Sequence, residues 1–418
     1  MSRLRPTDAE SADHRPPTGP GSGRAVLVAA GLALGPVVVI GLARFAYSLL
    51  LPAMRADLHW SFAQAGAMNT ANALGYLVGA IGTGPLLVRA RSRRPYLIGL
   101  AVTVVALLAS AATASFPALL ALRLVTGAAG AAVFIAGAGL VVRLVDPLAP
   151  GLSAALLGAY TGGGGGLGIV ISAVVLPPVV GLGASGAWRW GWVILGTASL
   201  LAVVVTTPAA LGVPDPPGKP EAGAFGWPVR RLAPTLVSYG LFGAGYIAYV
   251  TFIVAFLKSE GLGSATVGAF WAVLGGAAVA TAFAWGPALG RLRGGRGPAV
   301  VLAVTTAGTV LPVVFGGVPG DFASALLFGG AFLAVPAVVI NLARRSLSPS
   351  QVASAIATLT VCFGIGQSLG PVLAGLLSDG PAGVRAGLYL SVALLAAAIL
   401  VAVTQRTIRD PGTTAEGR

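Results

Sequence analysis

The chain has 418 residues, 56% of them hydrophobic and only 9% charged, with a formal net charge of +14. Soluble domains carry about a quarter charged residues, so a water-soluble globule is excluded. The positive charge reads as loop arginine that orients a membrane protein, not as a nucleic-acid surface.

In chain order, residues 1–23 are polar and rich in proline and glycine and predict a disordered tail. Long apolar runs then recur, each able to cross ~30 Å of hydrocarbon as a helix. The first half predicts helices over 25–51, 62–88, 95–115, 117–142, 153–180 and 190–211. A charged, proline-rich linker, "GVPDPPGKPEAGAFGWPVRR", follows at 212–231. The second half predicts helices over 233–257, 265–290, 297–318, 322–343, 352–377 and 384–404, then a tail at 406–418. The expected architecture is therefore an all-α integral membrane protein of twelve transmembrane helices. Two six-helix bundles, 24–211 and 232–405, flank the linker.

Charge placement orients this arrangement. With both termini cytoplasmic, 20 of the 26 lysines and arginines fall in cytoplasmic segments and four on the opposite side (Arg55, Arg189, Lys258 and Arg385). Such asymmetry is the signature of an even span number with inward termini. Basic clusters follow the second span of each half, at 89–94 and 291–296. A repeated six-helix unit is the plan of large secondary transporters, with the substrate path between the halves.

The two remaining cations, Arg44 in "IGLARFAYSLLLP" and Arg123 in "RLVTGAAGA", lie within the first and fourth spans. An arginine at bilayer depth costs about 3 kcal/mol on insertion scales, so these positions are the first functional candidates. All twelve acids fall in tails, loops or helix ends. Backbone carbonyls, Tyr47, Asn69 and Asn72 can satisfy a guanidinium in part. A bound anion does so better, because the planar donor fork matches a carboxylate. The competing readings are that Arg44 snorkels outward and that Arg123 serves helix packing. Tyr246, Tyr249, Trp271 and Gln367 complete the candidate substrate site, and Trp188, Trp190 and Trp192 read as interfacial anchors.

The glycine run "GAYTGGGGGLG" at 158–168, which holds Gly162 and Gly164, lacks the Lys-Ser/Thr ending of a phosphate loop. It predicts close helix contact and bending. Pro85, Pro177, Pro287, Pro336 and Pro371 mark expected kinks. One cysteine, Cys362, and two histidines, His14 and His59, leave no disulfide and no metal cluster, and no cofactor is expected.

"GPLLVRARSRR" (84–94) resembles the loop signature Gly-x-x-x-Asp-Arg-x-Gly-Arg-Arg of the major facilitator superfamily, with Gly84, Arg89 and Arg93 kept. Val88 stands where that signature has its acid and Arg91 where it has its glycine. "RLVTGAAGA" from Arg123, "WRWGW" (188–192) and "GQSLGPVLAGLLSD" (366–379, with Gly370 and Pro371) resemble motifs of its fourth, sixth and eleventh helices. "RFAYSLLLPAM", "NTANALGYLVGA" and "GYIAYVTFIVAF" are similar to its YbfB/YjiJ-type branch. The resemblance implies alternating access, a cavity lined by the first and fourth helices, and a monomer in the cytoplasmic (inner) membrane. The expected function is secondary transport of a small organic solute, with an organic anion favoured by the arginines. Efflux of amphipathic drugs and a transporter-like sensor are the alternatives. No catalytic cluster is present, so no enzyme is expected.

Overall fold

The structure is a computed structural model and describes residues 22–407 except 90, 147, 182, 216–226, 286–291 and 293. The expected tails, most of the linker and the kink at Pro287 lie outside the described residues.

Among the described residues every regular element is a helix. Twelve of them form the spans α1 (Gly23–Asp57), α2 (Phe62–Arg89), α3 (Arg93–Ala112), α4 (Phe116–Val145), α5 (Gly151–Val180) and α6 (Ala187–Leu211), then α7 (Val229–Ser259), α8 (Ser264–Ala284), α9 (Arg296–Val314), α10 (Gly317–Ser346), α11 (Pro349–Ser378) and α12 (Val384–Val403). Eleven are long and apolar enough to cross a membrane. The twelfth, α2, has 28 residues and carries Gln64, Asn69, Thr70 and Asn72 in its first half. Helices are forced here because hydrocarbon offers no partner for a free backbone group. Proline in the first turn of α4 and α11 sets the helical φ where no intrahelical donor is needed. Short turns join the spans, so neighbours run antiparallel and the even count returns both ends to one face. That face is termed terminal, and the opposite one distal.

Three spans are interrupted. In α1, Val37–Phe45 is π-helical; in α5, Ala159–Gly163 is π-helical and the helix breaks again at Leu176, before Pro177. In α10 the first segment ends at Phe332, four residues before Pro336, where the missing proline N–H leaves a carbonyl without its helical donor. Through Pro85 and Pro371, by contrast, α2 and α11 continue unbroken. The α1 interruption coincides with backbone-to-backbone packing: a Cβ on Gly41 would lie 2.3 Å from Gly168 Cα in α5. Only glycine permits that approach.

Within the first half α2 and α3 pack on α4, and α3 on α6; within the second, α7 packs on α11 and α12, and α10 on α8 and α9. The halves meet along α2–α11 and α5–α8, with the distal part of α1 against α7. Of those eleven spans the most enclosed is α7, buried along most of its length, so it is a central helix with little lipid contact.

Candidate substrate site

Arg44 sits at the end of the π-helical stretch, 5% exposed, where the two halves touch. Its Nη2 donates to Oε1 of Gln367 in α11. The same oxygen accepts the hydroxyl of Tyr246 in α7 at 2.7 Å. Three helices from both halves thus converge on one amide oxygen. The Arg44 guanidinium lies 5.6 Å from the ring centre of Tyr76 in α2 and 6.0 Å from that of Phe45. Among the described residues no acid pairs with it. One protein acceptor therefore serves a side chain with five N–H donors.

Arg123, 2% exposed, is held differently. Its Nη1 donates to the Ala43 carbonyl, its Nε to the Met68 carbonyl at 3.4 Å and its Nη2 to Asn69 Oδ1 at 3.0 Å. Its guanidinium also lies 5.1 Å from the Tyr47 ring and 5.8 Å from Trp192. It ties α4 to α1 and α2 inside the first half. Asn69 extends the tie across the seam, donating to Thr251 of α7 at 2.7 Å.

The other candidates are divided in the same way. Tyr47 is fully buried, donates to the Ala65 carbonyl at 2.8 Å and stacks on Trp192. Asn72 donates at 3.2 Å both to the Arg123 carbonyl and to Thr126, joining α2 to α4. Tyr249 is hydrogen-bonded to Ser324 of α10 at 2.5 Å and packs on Phe328 at 4.3 Å. Trp271 donates to Ser172 across α5–α8 at 3.2 Å. The structure brings Arg44, Tyr246 and Gln367 together and does not bring Tyr47, Asn72, Arg123 or Tyr249 to the same point. Of the anchor tryptophans only Trp190 is exposed; Trp188 and Trp192 are each 1% exposed and pack inside the first half.

Sequence reading did not single out Tyr76 for the site, nor the burial of Asp321. The latter is 2% exposed near the distal end of α10, and its Oδ1 has no hydrogen-bond partner. The helix begins at Gly317 and not near 322, which carries Asp321 inside its first turns.

A model of the family described as "Uncharacterised MFS-type transporter YbfB" matches residues 36–403. The chain belongs to this family of MFS transporters. It is 31% identical over 400 residues to a "Chloramphenicol resistance protein" of Streptomyces lividans, covering 89% of this chain and 94% of that protein. Its fold is similar to a mutant of the nucleoside transporter NupG, with a TM-score of 0.70 at 16% identity over 90% of this chain and 98% of that one. It is also similar to a bacterial homologue of the human lysosomal transporter Spinster, inward-facing and occupied, with a TM-score of 0.66 at 18% identity over 91% and 95% of the two chains.

In this transporter the residues singled out in the loop signature, the glycine run and the eleventh-helix motif, expected to serve gating and conformational change, fall on both faces. At the terminal end, an added Cβ on Gly84 would meet nothing within 4 Å. The Arg89 side chain lies outside what is described. Arg93 donates to the carbonyls of Ala210 at 3.1 Å and Val213 at 2.7 Å. Val88 supplies no acid in that loop, but Asp215 brings one from after α6: it accepts the backbone N–H groups of Ser92 and Arg93 and pairs with Arg143 at 2.5 Å. That carboxylate caps α3 within the first half. Gly162 lies in the π-helical turn of α5, and Gly164 packs on the Ala33 carbonyl of α1.

At the distal end the ties cross the seam. Asp379, after α11, accepts the first N–H groups of α2, from Phe62 at 2.6 Å and Ala63 at 3.0 Å. A carboxylate there also suits the positive end of the helix. Thr70 donates to the Ser368 carbonyl at 2.8 Å, and a Cβ on Gly66 would lie 2.3 Å from the Pro371 carbonyl oxygen. Gly370 likewise faces the Ala244 carbonyl within its own half. The distal side of the seam is closed by these contacts.

Proposed function

We propose that this transporter is a secondary carrier that moves a small organic anion through the bilayer by alternating access, with Arg44 as the residue that takes the charge. The observation that carries the reading is the bond from Arg44 to Gln367. A buried cation at the seam has a neutral amide oxygen as its one protein acceptor among the described residues, and a carboxylate would bind it more strongly. Displacing Gln367 Oε1 would also free the Tyr246 hydroxyl as a second donor. Arg123 is given a structural role, because main-chain oxygens and Asn69 already engage each of its three nitrogens.

The arginine asymmetry of the loops supports a cytoplasmic terminal face, hence a distal face outside the cell and an inner-membrane location. Distal closure then corresponds to a carrier whose path opens toward the cytoplasm. We assign it no enzymatic reaction and no nucleic-acid partner, and take the monomer as the working unit.

The test is flux of radiolabelled organic acids in proteoliposomes with wild-type protein and Arg44→Gln. Loss of anion flux by at least about tenfold in a folded variant, equivalent to 1.4 kcal/mol, is the expected result. Unchanged anion flux in that variant would remove Arg44 from the site. A second reading, export of amphipathic drugs, is favoured by the Streptomyces lividans relative, whose name refers to chloramphenicol resistance. It predicts that Arg44→Gln retains drug export.

A further inference from the structure

We infer that the cargo is an aromatic anion, its charged group held by Arg44 and its ring by the aromatic cluster that adjoins Arg44 through Tyr246 and Phe45. This rests on the anion-carrier reading above and narrows it. Most aromatic ring pairs among the described residues fall in one cluster around Tyr246. The Tyr246 ring lies 4.9 Å from Phe242 and 5.7 Å from Phe363, both near parallel, and 6.1 Å from Phe332. Phe45, the neighbour of Arg44, meets Phe332 edge-on at 5.8 Å across the seam. Rings from four helices of both halves, α1, α7, α10 and α11, therefore join in one cluster, which reaches the Arg44 guanidinium through Phe45 and through the Tyr246 hydroxyl.

The chemistry links the ring wall to the charge. Tyr246 belongs to both: its ring stacks in the cluster, and its hydroxyl donates to the oxygen that also accepts from Arg44. A carboxylate placed where that oxygen lies would accept from Arg44 and Tyr246 together. Its attached ring would then lie among Phe45, Tyr246 and Phe332. Offset or edge-on ring contacts contribute about 0.5–1.5 kcal/mol beyond the area they bury, and a saturated acid of equal size gains only the area. Leucine, isoleucine and valine are abundant in this chain, so an apolar wall alone did not require rings. Because Phe45 and Phe332 come from opposite halves, a ring between them would also couple occupancy to the seam.

The test is calorimetric titration of the purified full-length protein with benzoate, cyclohexanecarboxylate, hexanoate and benzamide. Benzoate should bind about tenfold more tightly than cyclohexanecarboxylate, and benzamide should bind weakly. Arg44→Gln should abolish benzoate binding. Phe332→Leu should bring the benzoate-to-cyclohexanecarboxylate ratio toward one while cyclohexanecarboxylate still binds; Phe363→Leu provides a second ring deletion if the first variant unfolds. Equal binding of benzoate, cyclohexanecarboxylate and hexanoate, all lost in Arg44→Gln, would overturn the aromatic inference and leave the anion carrier standing. Benzamide bound as tightly as benzoate, with Arg44→Gln indifferent, would overturn both. Failure of every acid to bind would also overturn the inference.

Discussion

Arg123 and Arg44 are both almost sealed from solvent, both embedded in spans and both free of acid partners among the described residues, yet they are held in different ways. Around Arg123, two main-chain carbonyls and Asn69 take the donor fork, and Tyr47 and Trp192 cover its faces. Around Arg44, one amide oxygen from the other half answers a fork of the same shape. Burial alone does not tell a structural arginine from a binding one. What differs is how many nitrogens already have a protein acceptor among the described residues: all three at Arg123, one at Arg44.

The sharpest way to break this comparison is to remove both side chains' fork geometry in turn. Arg123→Gln leaves the Ala43 and Met68 carbonyls without their donor, and an unsatisfied buried group costs about 1–3 kcal/mol. Thermal unfolding in detergent should show the largest destabilisation of the set. Arg123→Lys should recover only part of it, since an ammonium cannot span three acceptors arranged for a planar fork. Arg44→Gln should change unfolding by about 1 kcal/mol or less, the net worth of one hydrogen bond, while anion flux falls at least about tenfold. Equal destabilisation by the two glutamine variants would erase the distinction.

Two smaller effects sharpen it. Asn69→Ala removes both the Arg123 contact and the bond to Thr251 across the seam. It should cost about 1–2 kcal/mol in unfolding, and Thr251→Val should cost less, because the Arg123 contact stays and only the cross-seam bond and the hydroxyl's bond to the Ile247 carbonyl of its own helix are lost. Asp379→Asn weakens the charged cap on α2, worth about 0.3–1 kcal/mol at an exposed helix end. The expected readout is a shift toward distal opening with little loss of stability. A cysteine at Val254, 1% exposed at the distal seam, in a Cys362→Ser background should label faster with an impermeant maleimide when Asp379 is Asn. Unaltered labelling would show that this cap does not hold the seam.

Much of the fold was legible because its signals are long. Twelve apolar stretches separated by short polar loops survive errors of several residues at each end, and the family resemblance rests on motifs spread over six of them, in both halves. The convergence of Arg44, Tyr246 and Gln367 was legible only as a set of polar residues in spans expected to line a cavity. Which of them meet was not. The central helix α7 is buried nearly all round, so its polar residues carry no facing information, and Tyr246 and Tyr249, three positions apart, part toward α11 and α10. Tyr47 was misleading for a different reason: it follows a π-helical stretch whose altered period no hydrophobic pattern announces, and it ends up facing α2 and α6. Asp215 could not be placed from sequence because it acts through backbone N–H groups 122 and 123 positions away. Trp188 and Trp192 sit near a span end, where indoles normally mark the interface, but they fill the bundle interior instead.

The stretch Val37–Phe45 also stores a turn of the wrist for Arg44. Each π-type loop of backbone holds one residue more than its α counterpart, and one residue corresponds to about 100° about the axis. Re-pairing those carbonyls in α fashion would release that residue and swivel Arg44 off Gln367. The far end of α1 could stay clamped to its neighbours through Tyr47, so letting go of the cargo would need no hinge beyond the helix that grips it.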